Sequence, residues 1–306
     1  MSAEGGAVNP AVAGILVVGR TGQVARELQR AKWPAGLAVE FLGRDALDLA
    51  RPLEAHAAVV ARRAAIVVNA AAYTAVDAAE TDREMAFAVN GDGPAALAEA
   101  CGETGASLIH LSTDYVFDGT KQGAYTEDDP INPVSVYGAS KAAGEHLVRD
   151  RLAHHVILRT SWVYCAVGRN FLRTMLRLGA EREQLSVVDD QQGCPTSAAE
   201  VARAIVELIG ALGHAGAERF GTFHFCAKGA TTWYGFAREI FAAAQQREMK
   251  VPRVLTPIAT SQYPTPARRP LNSVLSCDKI SDSYGISARP WPEAVADCLD
   301  EIRGTG

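Results

Sequence analysis

The first half of the chain alternates short apolar runs with stretches of helical spacing. Runs such as Ile15-Leu16-Val17-Val18 are uninterrupted by polar residues and rich in β-branched ones, which is typical of strands buried on both faces. The pattern predicts strands at 14–19, 39–42, 65–70, 107–112 and 156–159, and helices at 21–28, 52–63, 94–104 and 136–150. Strands that alternate with helices predict parallel β-α-β units wound on one sheet.

This regularity weakens after about residue 165. Seven prolines lie between Pro252 and Pro292. Because proline interrupts helices and central strands, this stretch predicts loops, short strands and a terminal helix. The expected fold class is α/β: a doubly wound parallel Rossmann sheet with a second, smaller domain on its C-terminal side, packed directly against it.

Composition excludes several classes of protein. The 306 residues are 48% hydrophobic and 21% charged, so collagen-like and disordered chains are excluded. With a net charge of −5, the chain has no overall electrostatic attraction to nucleic acid or to an anionic membrane. The six cysteines form no Cys-x-x-Cys pair and predict reduced thiols rather than a disulfide framework or a zinc site. The first twelve residues lack Lys and Arg, and no apolar run is long enough to span a membrane, so a cytoplasmic location is predicted.

A glycine turn lies where the first strand is expected to meet the first helix. Gly19 permits a tight turn there, and Gly22 lets a pyrophosphate approach the backbone N–H groups at the positive end of the helix. The segment predicted to bind the dinucleotide comprises Gly19, Thr21, Gly22, Gln23 and Val24. A glycine turn of an ordinary α/β protein is the alternative, and the position between strand and helix favours the nucleotide.

Residues after the second and third strands extend this prediction. A guanidinium at Arg44 could pair with a 2′-phosphate and so favours NADP(H) over NAD(H), although an exposed surface arginine would look the same in sequence. Asp48 and Leu49 could cover the adenine. The small residues Ala70, Ala71 and Ala72, followed by Tyr73, would let a nucleotide lie against the backbone, but core packing explains alanines equally well.

Tyr137 and Lys141 carry the most specific chemical signal. Positions four apart on a helix share a face, so the ammonium of Lys141 can lie beside the phenol. We expect this charge to lower the pKa of Tyr137 and make the phenol a general acid. Thr113 ends a predicted parallel strand, where ligands of such sheets bind, and can donate a hydrogen bond to a carbonyl. The alternative is that this pair has no chemical role and is a half-buried aromatic residue beside a surface lysine. His110, His146, His154 and His155 are given no catalytic role.

Seven blocks in order along the chain then resemble the dTDP-4-dehydrorhamnose reductase family, a group of extended short-chain dehydrogenases/reductases. The blocks are Gly-Arg-Thr-Gly-Gln at 19–23, Asn-Ala-Ala-Ala-Tyr-Thr-Ala-Val-Asp at 69–77, Ser-Thr-Asp-Tyr-Val-Phe-Asp-Gly at 112–119, Val-Tyr-Gly-Ala-Ser-Lys at 136–141, Arg-Thr-Ser-Trp-Val-Tyr at 159–164, Asp-Asp-Gln-Gln-Gly-Cys-Pro-Thr at 189–196 and Arg-Pro-Leu-Asn-Ser at 269–273. The resemblance runs from about residue 13 to 303.

The resemblance implies an activity, roles for individual residues and a division into two domains. The activity is reduction of the 4-keto group of dTDP-6-deoxy-L-lyxo-4-hexulose by NADPH or NADH, giving dTDP-L-rhamnose. Thr113, Tyr137 and Lys141 match the family's catalytic trio, with Lys141 also holding the nicotinamide ribose. Asp114, Tyr115 and Trp162 match positions that line the sugar pocket. We expect an NADP-binding Rossmann domain at 13–165 and about 195–215, and a sugar-nucleotide domain at 166–194 and 216–303. Contacts to the base would come from the loop at 190–196 or from the stretch near Arg268 and Arg269, and are not assigned individually.

The resemblance also suggests a metal and a homodimer. Some members of the family form a dimer around Mg²⁺ held near three glutamates, and Glu27, Glu218 and Glu301 match those positions. Their wide spacing would not have suggested a metal, and three solvated surface carboxylates are the alternative. The family's glycine two residues after Gln23 is Ala25 here, which we expect only to tighten helix packing.

Two other functions share the fold. A non-catalytic, NADP-binding regulatory subunit is one, because the β subunit of methionine adenosyltransferase is similar to this family; the joint presence of Thr113, Tyr137 and Lys141 favours turnover instead. A sugar-nucleotide dehydratase or epimerase is the other. Dehydratases tend to follow the strand-end threonine with Asp-Glu, whereas Tyr115 follows Asp114 here. Epimerases keep their cofactor bound, so steady consumption of NADPH would distinguish them from a reductase.

Overall fold

A computed structural model describes residues 14–212 and 219–304. Its strands are β1 (Ile15–Val18), β2 (Val39–Leu42), β3 (Ile66–Asn69), β4 (Ser107–Thr113), β5 (His155–Thr160), β6 (Val163–Tyr164), β7 (Gln184–Val188), β8 (Gln192–Gly193), β9 (Thr196–Ser197), β10 (Gly221–His224), β11 (Thr231–Thr232) and β12 (Val254–Ile258). Its helices are α1 (Gln23–Arg30), α2 (Pro52–Arg62), α3 (Val76–Ala79), α4 (Arg83–Phe87), α5 (Gly93–Thr104), α6 (Val136–Arg151), α7 (Phe171–Glu181), α8 (Ala198–Leu212), α9 (Trp233–Gln245), α10 (Asp278–Tyr284) and α11 (Trp291–Gly304).

Six parallel strands form the main sheet, in the order β10-β5-β4-β3-β1-β2. The chain moves from β1 to β2 on one side and then crosses to β3 on the other, so the strand order reverses between β1 and β3. Ligands of open α/β sheets bind beyond the carboxyl ends of the strands at such a reversal. The predicted α/β class with a doubly wound Rossmann sheet is confirmed.

Alternating side chains of the strands enter two separate cores, which explains the uninterrupted apolar runs. In β1, Ile15 and Val17 belong to the core that α1 and α8 cover, and Leu16 and Val18 belong to the core that α2, α5 and α6 cover. Successive residues of a strand point to opposite faces, so a strand covered on both sides must be apolar at every position. The predicted strands and helices of the first half are present with small shifts at their ends.

The proline-rich part of the chain has short elements, as predicted. Three two-stranded pairs lie there or lead into it: β6 with β9, β7 with β12 and β8 with β11. The part of the chain that the structure describes ends in α11, and α7, α9 and α10 are further helices that the sequence pattern did not single out. The last strand of the main sheet, β10, comes from the range 216–303 that was expected to form the smaller domain. No helix within the described ranges is long and apolar enough to cross a membrane.

Candidate active site

A cleft of about 1800 Å³ opens at the carboxyl ends of β1, β3 and β4. It is lined by all the residues predicted for the dinucleotide and the sugar: Gly19, Thr21, Gly22, Gln23, Val24, Arg44, Asp48, Leu49, Ala70, Ala71, Ala72, Tyr73, Thr113, Asp114, Tyr115, Tyr137, Lys141 and Trp162. The structure therefore brings together in one cavity residues that are up to 143 positions apart in the sequence.

The glycine turn has the geometry that its sequence predicts. Gly19 has a φ of 116°, in the region that favours glycine, and a Cβ there would lie 3.2 Å from the backbone of Ala70. No side chain caps the first turn of α1 at Gly22, so the amide groups of this turn are left to face the cleft. The Gln23 amide donates to the Val163 carbonyl (3.3 Å), while its Oε1 is buried and has no hydrogen-bond partner among the described residues. A pyrophosphate would accept hydrogen bonds from the backbone N–H groups of this first turn, at the positive end of the helix.

The adenosine end of the cleft carries charges of both signs. The Arg44 Nε donates to the Asp48 carboxylate at 3.1 Å, and the Arg44 side chain is 73% exposed. Burial opposes ionisation of Asp48, but the Ala50 N–H and the Arg44 guanidinium hold its pKa below the ordinary value. Arg20, which the sequence reasoning did not single out, also lines this end, and its side chain approaches the turn at Gly43. Two arginine side chains thus line the end of the cleft that is predicted for the 2′-phosphate.

Thr113 and Asp114 form a buried pair at the end of β4. The Thr113 hydroxyl donates to the Asp114 carboxylate (2.9 Å), accepts from the Tyr115 N–H (3.1 Å) and contacts the Tyr137 hydroxyl. The Ser161 hydroxyl donates to the other Asp114 oxygen at 3.1 Å. Burial raises the pKa of Asp114 to about 6, because these neutral donors only partly replace water around the charge.

Tyr137 and Lys141 lie one turn apart on α6, which begins after Ser135, whose hydroxyl accepts from the Gly138 N–H at 3.1 Å. Burial raises the pKa of Tyr137 to about 12, so the expectation that Lys141 makes this phenol unusually acidic is wrong for this structure. The Lys141 ammonium instead donates to the Leu111 carbonyl at 2.6 Å, and burial lowers its pKa to about 8. Tyr137 is a protonated phenol throughout the neutral range, which is the form that a general acid requires.

A buried chain of polar groups lies beneath Lys141. The Ala71 N–H donates to Asn69 Oδ1 (3.1 Å), and this turns the Asn69 amide nitrogen toward His110 Nδ1 at 3.0 Å. With Nδ1 accepting, His110 carries its proton on Nε2, which lies 3.5 Å from Lys141 Nζ. Burial keeps the pKa of His110 well below the usual value. A histidine given no role from the sequence thus contacts the catalytic lysine candidate.

Aromatic and charged side chains from the second half of the chain complete the cleft. Trp162 adopts a φ of 47° and stacks on Trp233, with ring centroids 3.6 Å apart and planes only 4° from parallel. Arg269 donates to Asp77 at 2.9 Å, and both line the cleft. Trp233 and Asp77 were not predicted individually to line the cleft. The local sequence around each residue does not indicate which distant segments it contacts.

The three glutamates of the suggested metal site are only partly described. Glu27 and Glu301 both contact the Arg30 guanidinium, at 3.5 Å and 2.6 Å, so a cation from the protein itself already lies between them. Burial raises the pKa of Glu27, against the influence of Arg30. Glu218 lies outside the described residues. Within 14–212 and 219–304, no group of three His, Cys, Asp or Glu side chains is arranged to hold a metal ion.

Comparison with known proteins identifies the family. The model of the RmlD substrate-binding domain matches residues 13–303. The chain is 44% identical to a dTDP-4-dehydrorhamnose reductase of Burkholderia thailandensis, over 94% of this chain and 98% of the relative, and 41% identical to that of Escherichia coli over 94% and 97%. This chain belongs to the RmlD substrate-binding domain family.

Solved structures of the family have the same fold along nearly their whole length. A dTDP-4-dehydrorhamnose reductase of Clostridium acetobutylicum superposes with a TM-score of 0.88 at 36% identity, covering 95% of this chain and 99% of its own. The Bacillus anthracis enzyme, solved in complex with NADP, gives 0.87 at 34% identity, with 94% and 99% covered. The resemblance deduced from the seven sequence blocks is confirmed.

The residues of this member of the RmlD family fit an NADP group. The uncapped first turn of α1, the unpartnered Gln23 Oε1 and the alanines after β3 leave donors, an acceptor and backbone surface free on the wall of the cleft. Within residues 14–212 and 219–304, Thr160 Oγ1 is a second buried oxygen that has no hydrogen-bond partner, and it lies on the same wall. Buried polar atoms are normally hydrogen-bonded, so these exceptions indicate a polar ligand.

Proposed function

We propose that this chain uses NADPH to reduce the 4-keto group of dTDP-6-deoxy-L-lyxo-4-hexulose, giving dTDP-L-rhamnose. The observation that carries the proposal is the single cleft in which the glycine turn at Gly19 and the Thr113–Tyr137 contact face each other. The relatives named dTDP-4-dehydrorhamnose reductase supply the choice of substrate. The reaction consumes one NADPH for each sugar reduced.

The protein's own groups manage the charge that develops on the sugar oxygen. When bound, the nicotinamide supplies a hydride to C4. Tyr137 donates its phenolic proton to the C4 oxygen, since a sugar alkoxide is a far stronger base than a phenolate even where burial raises the pKa of Tyr137 to about 12. Lys141, one turn along α6, holds the nicotinamide ribose. Thr113 must give up its hydrogen bond to Asp114 to donate to the substrate oxygen.

In this proposal, one region of the chain binds the dinucleotide and another binds the sugar nucleotide. Residues 13–165 and about 195–215, together with β10, bind the dinucleotide, and residues 166–194 with the rest of 216–303 bind the sugar nucleotide. The packing of α8 against the same core as α1 supports the first assignment. Trp162 and Trp233 supply an aromatic wall, and Asp114 and Tyr115 supply polar groups for the hexose.

The cofactor preference rests on Arg44. Its guanidinium lies at the adenosine end of the cleft and favours the 2′-phosphate of NADPH, although its pairing with Asp48 leaves room for NADH. The NADP complex of the Bacillus anthracis relative supports this preference. The homodimer and the Mg²⁺ site stay predictions.

Absorbance of NADPH during incubation with the dTDP-4-keto sugar tests the function. Wild-type protein should oxidise NADPH steadily, one equivalent per sugar, whereas an epimerase or a non-catalytic subunit would not. Tyr137→Phe should lower kcat about 10²- to 10⁴-fold because it removes only the proton donor. Tyr234→Phe is the matched control, since Tyr234 lies outside the cleft and should leave kcat unchanged. Undiminished turnover by Tyr137→Phe would refute the assignment of the acid.

A further inference from the structure

Three of the six cysteines meet in a small apolar cluster behind the sugar side of the cleft. Cys194 follows β8, Cys226 follows β10 and Cys277 precedes α10, and the cluster also contains Phe117 and Leu275. The sulfur atoms of Cys226 and Cys277 lie 3.6 Å apart. The two cysteines are 51 positions apart, so the sequence gave no hint of this contact, because a Cys-x-x-Cys search finds only sequence neighbours.

We propose that Cys226 and Cys277 form a redox-modification site, at which a reversible intramolecular disulfide closes under oxidation by a low-molecular-weight disulfide such as glutathione disulfide. The backbone already has the required proximity: the Cys226 N–H donates to Cys277 Sγ at 3.2 Å, and Cys277 Sγ lies 3.7 Å from the Cys226 carbonyl oxygen. A bond of about 2.05 Å requires the sulfurs to approach by about 1.5 Å. Rotation about the two Cα–Cβ bonds, together with a small shift of the segment that ends at Cys277, would bring the sulfurs together.

The exposure of the two thiols gives the order of events. Cys277 is half-buried and Cys226 is fully enclosed, so the oxidant meets Cys277 first. The Cys277 thiolate attacks one sulfur of glutathione disulfide, forming a mixed disulfide and releasing one glutathione thiolate. The Cys226 sulfur then attacks the Cys277 sulfur and releases the second glutathione. The protein loses two protons and two electrons, which reduce one glutathione disulfide to two glutathione thiols.

Cys226 is placed to carry out the second step. Its sulfur lies 3.6 Å from Cys277 Sγ inside the apolar cluster, so it can reach a mixed disulfide at Cys277 from where it stands. The proton of the Cys226 thiol leaves with the second glutathione thiolate, which needs one proton to become a thiol. The geometry distinguishes two roles: Cys277 attacks the oxidant, and Cys226 closes the bond.

The cluster is joined to the sugar pocket by hydrogen bonds. The Cys194 N–H donates to Ser161 Oγ at 3.3 Å, and Ser161 in turn donates to Asp114. Ser273, four residues before Cys277, also hydrogen-bonds to Asp114. Closing the disulfide pulls on the segment 273–277, so we expect the KM for the sugar to rise in the oxidised protein. This consequence rests on the proposed function, whereas the cross-link does not.

Peptide mapping under non-reducing conditions tests the cross-link. The folded protein is incubated with glutathione disulfide, its remaining thiols are alkylated and the digest is analysed by mass spectrometry. We expect the peptides of Cys226 and Cys277 joined by a bond that dithiothreitol breaks, with four thiols still alkylated. Cys298→Ser is the matched control, because Cys298 is buried in another core and its loss should leave the cross-link intact.

Other outcomes would overturn the proposal. These are six alkylated thiols after oxidation, glutathione retained on Cys277 of the wild type, or a bond between Cys194 and Cys226. The wild-type map alone decides between them, so the test does not depend on whether Cys277→Ser folds. Where that variant folds, it should show no cross-link. An unchanged KM for the sugar in fully cross-linked protein would refute the link to the sugar pocket and leave the disulfide standing.

Discussion

Replacing Asp114 by Asn should make the protein more stable at pH 8 and hardly change it at pH 4. Asp114 is 2% exposed, and its side chain is hydrogen-bonded by hydroxyl groups and by its own backbone N–H, with no cation in contact among the described residues. The carboxylate therefore loses its hydration on folding without gaining a counter-charge. Asn has the same shape and can keep the bond from Thr113, while its amide nitrogen can donate to hydroxyl oxygens. The substitution removes the buried charge and little else.

The size of the effect follows from the pKa. Burial raises the pKa of Asp114 from 3.8 to about 6, so the folded state holds its proton more tightly than the unfolded state. Below pH 3.8 both states are protonated and there is no penalty. Between pH 3.8 and about 6 the unfolded state alone ionises, and the wild type loses stability as pH rises. At about 1.4 kcal/mol per pKa unit, the loss reaches about 3 kcal/mol above pH 6, and Asp114→Asn should recover it.

Denaturant unfolding of wild type and Asp114→Asn at pH 4 to 8 measures this difference. Asp118→Asn is an instructive control four residues away, because hydrogen bonds from the Thr120 N–H and hydroxyl hold the pKa of Asp118 well below its usual value. Its ionised form stabilises the fold at neutral pH, so Asp118→Asn should be destabilising there, the opposite sign. A free energy of unfolding for Asp114→Asn that follows the wild-type curve at all pH values would show that Asp114 carries no desolvation penalty.

Three further predictions concern the cleft and the elements packed behind it. Arg44→Ala should raise the KM for NADPH more than the KM for NADH, because only NADPH has a 2′-phosphate; equal effects in steady-state assays would exclude this role. Gly144→Ala should lower the Tm by several degrees, since a Cβ there collides with the Asn90 carbonyl oxygen, and calorimetry showing no change would contradict that close packing. Long-range ¹H–¹⁵N spectra should show His110 protonated on Nε2 between pH 5 and 9, because Asn69 donates to Nδ1 and burial keeps the ring neutral; a proton on Nδ1 would contradict this orientation.

The fold could be predicted largely because its signals are local. The apolar run at 15–18 and the small residues at Gly19 and Gly22 specify a buried strand, a tight turn and an open helix end within one short segment. Each of these features depends on neighbours in the chain, so periodicity and residue size suffice. The Tyr137–Lys141 spacing is local in the same sense, since the helix alone puts both on one face.

The energetics of the site could not be predicted in this way. Lys141 was expected to act on its neighbour Tyr137, but its ammonium finds the Leu111 carbonyl on β4, and burial dominates both pKa values. Burial depends on which strands and helices cover a residue. These tertiary contacts are known only once the complete fold is known, and local sequence patterns do not predict them. The stack of Trp162 on Trp233 and the contact of Cys226 with Cys277 were missed for the same reason.

The unfavourable features of this chain are concentrated at the cleft. Trp162 adopts a positive φ, Asp114 is a carboxylate without a cation, and Lys141 is a buried amine. Each lowers the free energy of unfolding by on the order of 1–3 kcal/mol. Such a feature persists only where the surrounding structure holds it firmly in place. The scaffold around the sheet provides this support. In α6, for example, Glu145 accepts two hydrogen bonds, of 2.9 and 2.7 Å, from the fully buried Arg159 of β5. The scaffold thus fixes α6 one turn beyond Lys141, and this is why the cleft can hold groups that no isolated segment would tolerate.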